Sequence, residues 1–259
     1  MNSLSLAGRR ILVTRAAHQA GKLSDGLRAL GAQPIEVPIL EIQPPETYAP
    51  LDEAIRNLAA YNWLILTSAN TIRALASRAA ALGVSLTQPA TLKVAAIGQA
   101  TAEAARDQGF QVTIVPESYV AESLVQALAS QSAGQKILLA RAAIARDIIP
   151  DALSKAGAEV DVVDAYRNVM PNDTPARLRV ALEQGIDAAT FTSSSSATRL
   201  AEAAHAAQIP WPFPAIPAIS IGPITSATLR ELAWEHAIEA NPSDIQGLIS
   251  AAAKFFATS

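Results

Sequence analysis

The 259-residue chain contains no cysteine, and this absence removes several kinds of chemistry. Disulfides, thiol nucleophiles and thiolate-bound metals are excluded, and the composition suits a reducing cytosol. Histidine is scarce as well: His18, His205 and His236 lie far apart, without the i, i+4 spacing of a metal-binding helix. We therefore expect a protein without a metal site.

A strong net charge and a long apolar run are also missing. The formal charge is −3 at pH 7, so no overall basic field attracts nucleic acid or an anionic membrane. The first residues, MNSLSLAGRRILVTR, contain no apolar core of signal-peptide length, and no run reaches the roughly 18 apolar residues that span a bilayer. We expect a soluble, cytoplasmic protein that binds neither nucleic acid nor membrane.

Half of the residues are hydrophobic, and many form short β-branched runs separated by Ala- and Leu-rich helical patterns. Repeated strand–helix–strand order favours parallel sheets with helices on both faces, and continuous apolar runs are typical of such buried strands. The sequence therefore predicts an α/β fold. The predicted strands are Arg10–Thr14, Gln33–Ile39, Asn62–Thr67, Lys93–Ile97, Gln111–Val115, Lys136–Ala140, Glu159–Tyr166, Ala188–Thr192, Pro217–Ile221 and Ala237–Ala240.

Several short segments recur in the same order about 125 residues later. This spacing predicts an internal duplication, with two similar α/β domains and a ligand cleft between them. Two unrelated α/β domains with similar turns are the alternative. The matching segments are Ile11–Arg15 with Ile137–Arg141, Leu30–Ala32 with Ala156–Ala158, Thr67–Ala76 with Thr192–Ala201, Ala96–Gln108 with Ser220–Leu232, and Ala121–Val125 with Ile245–Ile249.

Polar turns follow the predicted strands where helices begin. Free backbone N–H groups and the positive helix end meet there, and strand carboxyl ends form the ligand crevice of parallel sheets. Ordinary helix capping is the alternative for any one turn. As a set, the turns favour a ligand with several anionic groups. The candidate residues are Thr67, Ser68, Ala69, Gly98, Thr101, Thr192, Ser193, Ser194, Gly222 and Thr225.

The usual nucleotide and hydrolase motifs are missing. No GxGxxG occurs, and TSSSS at Thr192–Ser196 lacks the flanking glycines of a nucleophile elbow. The segment Ala16–Leu23 approaches a phosphate-binding loop but has Ala for the first Gly and Leu for the magnesium-binding Ser or Thr. These differences argue against a nucleotide-dependent enzyme.

The duplication also shows where the two copies differ. Arg15 and Arg141 correspond, each just beyond its strand, and either suits a bidentate bond to a substrate carboxylate or a surface salt bridge. Tyr166 corresponds to Leu40, so one copy has a phenol where the other has an aliphatic side chain. Tyr166 is therefore a candidate functional residue, with an aromatic packed at a domain interface as the alternative.

The ordered motifs resemble the uroporphyrinogen-III synthase family. They are ILVTR, TSAN, AIGQAT, AY at Ala165–Tyr166, FTSSSS, SIGPIT and GL at Gly247–Leu248, and they cover nearly the whole chain. The resemblance implies two α/β domains joined by a two-strand connection, the first built from both chain ends. We expect domain 1 over residues 1–38 and 168–259, and domain 2 over residues 39–167. The proline-rich segments Val37–Pro45 and Met170–Pro175 suit the crossings, and Ile209–Pro217 is predicted to be a surface loop.

The resemblance also implies an activity. Members of the family cyclise hydroxymethylbilane, a linear tetrapyrrole with eight carboxylates, to uroporphyrinogen III, with loss of water, inversion of the terminal pyrrole ring and no cofactor or metal. The conserved tyrosine of the family falls on Tyr166, and its threonines fall on Thr101 and Thr225. Ile224 stands where many members have a second threonine, and Pro217 lies near the place of a lysine found in some members.

Two further expectations concern partners and the competing function. Direct handover of the substrate from hydroxymethylbilane synthase is a possible partnership. The alternative function is a non-catalytic two-domain α/β module that binds a small polyanionic ligand. Production of the type III isomer distinguishes the two, because closure without a catalyst gives the type I isomer.

Overall fold

The computed structural model describes residues 6–15, 17–235 and 237–258, without the side chains of residues 17–20 and 258. His236 and the side chain of His18 therefore lie outside the described part, as does the first residue of Ala16–Leu23. The chain forms two compact units: unit 1 comprises Met1–Glu41 and Val169–Ser259, and unit 2 comprises Ile42–Asn168.

Eleven strands form within the described residues, and they include all ten that the apolar runs predict. The additional strand, β3, has three half-buried residues and only one apolar side chain, so no hydrophobic run announces it. The eighth strand continues three residues beyond its predicted end. The strands are β1 Arg10–Val13, β2 Gln33–Glu36, β3 Glu41–Gln43, β4 Trp63–Leu66, β5 Lys93–Ala96, β6 Val112–Ile114, β7 Lys136–Ala142, β8 Glu159–Val169, β9 Ala188–Phe191, β10 Ala218–Ser220 and β11 Ala237–Glu239.

Helices connect the consecutive strands, as the alternating pattern predicts, except between β2 and β3, which follow one another directly. Across the described residues, none of them combines the length and the apolar character needed to cross a bilayer. The α-helices are α1 Ala17–Ala29, α2 Ala49–Arg56, α3 Ala69–Ala81, α4 Gln99–Asp107, α5 Ala121–Ser132, α6 Ile148–Lys155, α7 Thr174–Glu183, α8 Ser194–Ala206, α9 Pro223–Glu231 and α10 Ile245–Thr258, and a short 3₁₀ turn spans Leu58–Ala60.

The two sheets have the same strand order once the repeat is taken into account. Unit 1 has the order β11-β10-β9-β1-β2, and unit 2 has the order β6-β5-β4-β7-β8 with β3 added at the edge. The strand pairing also repeats, since Ile11 pairs with Ala188 in unit 1 and their equivalents Ile137 and Trp63 pair in unit 2. Each sheet therefore takes strands from both sequence repeats, and the fold is a duplicated α/β structure with mostly parallel strands.

Both faces of each sheet are covered by helices. In unit 1, Ile11 and Val13 pack with α1 and α10, whereas Leu12 points to the opposite core with α7 and α8. In unit 2, Trp63 and Ile65 pack with α5 and α6, whereas Leu64 and Leu66 face α2, α3 and α4. Successive strand residues point to opposite faces, so buried strands need apolar residues at every position.

The segment Ile209–Pro217 is a loop, as expected, with Pro210, Pro214 and Ala215 exposed, but its aromatic side chains pack inward. Phe213 is buried, and Trp211 Nε1 donates a hydrogen bond to the carbonyl of Leu232 at 2.7 Å. The rings of Trp211, Phe213 and Trp234 meet edge to face at centroid distances of 4.9–5.5 Å. Proline spacing indicated a loop, but the aromatic side chains between the prolines anchor it on the core of unit 1.

Candidate functional site

Each sheet has one point where the connections leave in opposite directions. In unit 1 this point lies between β1 and β9, and in unit 2 between β7 and β4. Parallel sheets bind ligands outside the strand carboxyl ends at such points. Arg15 and Thr192 follow the two strands of unit 1, and Thr67 follows β4 in unit 2. Arg141 is the penultimate residue of β7 and lies within the strand, not just beyond it as expected, because β7 continues two residues past its predicted end. The predicted site residues therefore occupy the expected ends of both sheets.

In unit 2 the structure brings Ser68 and Tyr166 into direct contact. Ser68 caps α3, because its Oγ accepts the amide N–H of Thr71 at 3.1 Å. The same oxygen lies 3.0 Å from the phenol oxygen of Tyr166, whose side chain is buried at 6% exposure. The geometry fixes the phenol beside the first turn of a helix.

A β-bulge helps to place that phenol. The pairing of β7 with β8 runs in register to Arg141 and Asp164, and then shifts so that Ala142 pairs with Tyr166. A bulge bends its strand and changes the direction of the side chains that follow it. Ala165 and Tyr166 pack with Ala142, and Ala74 of α3 lies against this small cluster. The orientation of Tyr166 thus depends on backbone irregularity as well as on sequence.

Arg141 is engaged by the segment that follows its own strand. Its Nη2 lies 2.6 Å from Oδ1 of Asp147, and its Nη1 donates to the carbonyl of Arg146 at 3.1 Å. Its Nε is buried and has no hydrogen-bond partner in the described part of the protein. Of the two interpretations of Arg141, the geometry in unit 2 matches the salt bridge, and a carboxylate contact remains a prediction.

The two glycine turns are alike in geometry. Gly98 and Gly222 cap α4 and α9 with extended backbones, at φ of −160° and 172°. Glycine is needed for close approach, since a Cβ on Gly98 would lie 3.2 Å from Cγ of Tyr119 and one on Gly222 2.8 Å from Oγ of Ser243. A side chain on either glycine would therefore displace Tyr119 or Ser243.

The predicted threonines occupy matching positions in these turns. Thr101 is the third residue of α4 and Thr225 the third residue of α9. Both lie in the first turn of their helices and are almost completely buried. Ile224, next to Thr225, is 78% exposed. The duplicated turns consequently differ in what they present to solvent.

In unit 1, three predicted residues line one small pocket. Arg15, Thr192 and Ser193 meet there in a space of about 100 Å³, together with Leu40 and Arg199. Burial lowers the pKa of the Arg15 guanidinium from its usual high value, which leaves the group protonated at neutral pH. This pocket brings guanidinium and hydroxyl groups together at the switch point.

The amino-terminal turn of α8 is held by its own serines. Ser193 Oγ accepts the amide N–H of Ser196 at 3.1 Å, and Ser196 Oγ accepts that of Ser193 at 3.2 Å, which is a capping box. Ser194 instead joins two helices, since its hydroxyl accepts from Thr228 Oγ1 at 2.8 Å. Thr67 and Ala69 are half-buried at the start of α3 in unit 2.

Arg199 is the residue that the sequence reasoning missed. It lies on α8, and its repeat equivalent is Ala74 of α3. The comparison of copies that singled out Tyr166 was the signal that would have found it. No group of three or more His, Asp or Glu side chains arranged to hold a metal occurs among the residues that the structure describes.

Two parallel sheets of one strand order, with hydroxyl-bearing turns at their switch points, define the class: a duplicated α/β protein of the kind that binds ligands at strand carboxyl ends. A family model described as uroporphyrinogen-III synthase HemD matches residues 21–250. The chain belongs to the uroporphyrinogen-III synthase family.

Individual relatives agree with the family. The chain is 38% identical over 251 residues to the uroporphyrinogen-III synthase of Synechococcus elongatus, and the match covers 95% of each chain. Its fold is similar to a mutant uroporphyrinogen III synthase of Thermus thermophilus, with a TM-score of 0.67, 18% identity and coverage of 97% of this chain and 100% of the other. The uroporphyrinogen-III synthetase of Helicobacter pylori matches with a TM-score of 0.61, 16% identity and coverage of 96% and 99%.

Proposed function

We propose that this chain is a cyclising hydro-lyase that converts hydroxymethylbilane to uroporphyrinogen III, with loss of one water and inversion of the terminal pyrrole ring. The observation that carries the proposal is the 38% identity to a uroporphyrinogen-III synthase over 95% of both chains. The site supports it, because polar turns and cationic side chains at strand carboxyl ends suit a substrate rich in carboxylates.

The first chemical step breaks the bond between the hydroxymethyl carbon and its oxygen. A pyrrole nitrogen supplies the electron pair, and a donated proton lets the oxygen leave as water. Tyr166 is the proposed donor, because its phenol O–H can donate a hydrogen bond and is held at the carboxyl ends of the strands of unit 2. Its contact with Ser68 Oγ, at 3.0 Å, supports a defined orientation for the hydroxyl.

The resulting azafulvene is attacked by the substituted carbon of the terminal ring, which gives a spiro intermediate. This intermediate fragments, and the ring closes again in the inverted orientation, with a proton lost as the pyrrole is restored. Simple closure yields the type I isomer without a catalyst. The protein must therefore hold the two ends of the linear tetrapyrrole so that formation of the spiro intermediate is faster than direct closure to the type I isomer.

Substrate binding is proposed for the polar turns of each unit. Oxygen and nitrogen donors there suit acetate and propionate side chains, since helix amino termini and guanidinium groups both bind carboxylates. The proposed contacts are Thr67, Ser68, Ala69, Gly98, Thr101 and Arg141 in unit 2, and Arg15, Thr192, Ser193, Ser194, Gly222 and Thr225 in unit 1.

Product identity tests the function. Purified protein is incubated with enzymatically generated hydroxymethylbilane, and the isomers are separated by chromatography after oxidation. Formation of the type III isomer at a rate proportional to protein concentration is expected. Pure type I product from folded protein would contradict the synthase, and binding of uroporphyrinogen III without turnover would support the non-catalytic module instead.

The proposal includes a cytoplasmic location, without nucleic-acid or membrane partners, and receipt of the substrate from hydroxymethylbilane synthase. The absence of cysteine supports a reducing compartment. Handover is tested by mixing the two enzymes in the presence of excess unlabelled hydroxymethylbilane while the first enzyme makes labelled substrate. Labelled type III product in excess over its share of the free pool indicates direct transfer, and equal labelling excludes it.

A further inference from the structure

The pocket of unit 1 occupies the place that Tyr166 holds in unit 2. The repeat equates Leu40 with Tyr166 and Arg199 with Ala74. The strands before Leu40 and Tyr166 pair in the same register, Ile11 with Pro34 and Ile137 with Val160, and Arg199 and Ala74 are each the sixth residue of their helices α8 and α3. In unit 2, Ala74 lies against the cluster that contains the Tyr166 ring. In unit 1, Leu40 and Arg199 line one pocket. A buried phenol in one copy is thus replaced by a guanidinium beside an open space in the other.

The groups around this space suit one carboxylate. Arg15 and Arg199 contribute cationic side chains, while Thr192, Ser193 and Ser195 contribute hydroxyl groups. No Asp or Glu is among the described residues that line the pocket. Its volume of about 100 Å³ is far below the roughly 300–1,000 Å³ of a site that encloses a whole small ligand. The pocket therefore accommodates a single functional group of a larger molecule.

We propose that Arg199, together with Arg15, binds one acetate or propionate carboxylate of the tetrapyrrole substrate in this pocket. The proposal rests on the proposed synthase function. Charge-assisted bonds from guanidinium groups are among the strongest that proteins make to carboxylates. The duplicated site has diverged: unit 2 has a phenol at Tyr166 beside the small Ala74, and unit 1 has Leu40 at the first position and a carboxylate-binding arginine, Arg199, at the second.

The test compares Arg199→Ala and Arg199→Lys with Arg230→Ala. Arg230 lies in the last turn of α9 and is exposed, so its removal changes the net charge of the same unit equally. Steady-state formation of type III isomer gives KM and kcat, and anaerobic equilibrium titration gives the affinity for uroporphyrinogen III. Circular dichroism and thermal unfolding establish that each variant is folded.

We expect Arg199→Ala to raise KM and weaken product affinity by about ten- to a hundredfold, because a charged hydrogen bond is lost, with a smaller change in kcat. Arg199→Lys keeps the charge without the bidentate geometry and gives an intermediate KM. Arg230→Ala matches wild type. Wild-type KM and product affinity in folded Arg199→Ala, or in Arg199→Gln if the alanine variant fails to fold, would overturn the proposal.

The two proposals fail in different ways. If wild type makes only type I isomer, the synthase function is wrong, and the titration with uroporphyrinogen III still decides the pocket. Weaker binding by Arg199→Ala than by wild type would then support a carboxylate site without catalysis. Equal binding, or no binding by wild type, would exclude it.

Discussion

Replacing Tyr166 by Phe removes only the phenol oxygen, and it should affect the free energy of unfolding and the rate of catalysis to very different extents. The hydroxyl lies 3.0 Å from Ser68 Oγ in a buried setting. Ser68 Oγ keeps the amide N–H of Thr71 after the substitution, so it is not left without a partner. The free energy of unfolding is therefore expected to fall by about 1 kcal/mol or less.

The expected effect on the rate is much larger. A positioned proton donor contributes about 10²–10⁴-fold to a reaction that needs one. We expect kcat for the type III isomer to fall by about 100-fold or more in Tyr166→Phe, while spontaneous formation of type I isomer continues. The assay is separation of the two isomers after timed incubation with hydroxymethylbilane, alongside denaturant unfolding of each variant.

Tyr61 provides a matched control within the same unit. It is also 6% exposed, and its hydroxyl donates to Oδ2 of Asp161 at 2.9 Å. Burial, and then the Asp161 carboxylate, raise the pKa of Tyr61, so this phenol remains a donor. Tyr61 lies just before the amino end of β4, whereas the candidate site lies at the carboxyl ends of the strands. Tyr61→Phe is expected to lose comparable or greater stability and to keep turnover.

The result that refutes the donor role is wild-type formation of type III isomer by Tyr166→Phe. A tenfold loss, equal to about 1.4 kcal/mol of activation free energy, would instead describe one hydrogen bond among several. A fall in activity that Tyr61→Phe shares would be assigned to reduced stability. The comparison of the two phenols therefore distinguishes chemistry from folding.

Three further outcomes are expected. Ser68→Ala removes the cap of α3, lowering the free energy of unfolding by about 1 kcal/mol, and removes the hydrogen-bond partner of the phenol, so kcat falls. When Ser68→Ala is added to Tyr166→Phe it should cause little further fall in kcat, because the phenol that Ser68 positions is already absent; independent effects would contradict the contact at 3.0 Å. Gly222→Ala places a Cβ 2.8 Å from Oγ and 3.2 Å from Cβ of Ser243. Because Ser243 is exposed and its hydroxyl can rotate away, the free energy of unfolding should fall by only about 0.5 kcal/mol. Ser243→Gly should restore it, and a loss that Ser243→Gly leaves unchanged would show that another contact causes it. The Arg78 guanidinium, hydrogen-bonded to Asp52 at 2.6 Å, lowers the pKa of that carboxyl. A carboxyl whose pKa is lower in the folded than in the unfolded protein stabilises the fold above the unfolded-state pKa, and this stabilisation is lost as pH falls through the folded-state pKa. Asp52→Asn should therefore be less stable than wild type at neutral pH, and the difference should close below about pH 4. A difference in stability that persists in acid would exclude the ion pair as its cause.

The strands were predictable because their environment leaves them little choice of residue. A strand such as Trp63–Leu66, covered by helices on both faces, requires four apolar side chains in succession. Strand β3, Glu41–Gln43, escaped because a half-buried edge strand has no such requirement. The loop Ile209–Pro217 was predictable from its prolines, but the burial of Phe213 within it was not, because that burial depends on the ring of Trp234, which comes from elsewhere in unit 1.

The candidate site was predictable in its positions and not in its contacts. The predicted strands and the repeat place Ser68, Tyr166 and Arg15 towards the carboxyl ends of strands, and the structure has them there. The bond between Ser68 and Tyr166 joins residues 98 positions apart and follows a register shift that no local pattern indicates. Arg199 was overlooked because a single arginine within a helix is ordinarily a solvated surface residue.

The exchange of strands between the two repeats has a consequence for folding. Each repeat contains one copy of each of the five equivalent strands. The pair β1–β2 of the first repeat joins β9 of the second, although β4 of its own repeat is the equivalent strand, and the pair β7–β8 of the second repeat likewise joins β4 of the first. The native fold therefore resembles a domain-swapped dimer whose two chains are fused into one. Because Ala188 and Trp63 occupy equivalent places beside Ile11 and Ile137, the backbone registers alone do not distinguish the native pairing from one in which each repeat pairs only with itself. Side-chain volume at these positions, where a small residue faces one strand and an indole the other, distinguishes the partners that the backbone registers leave alike.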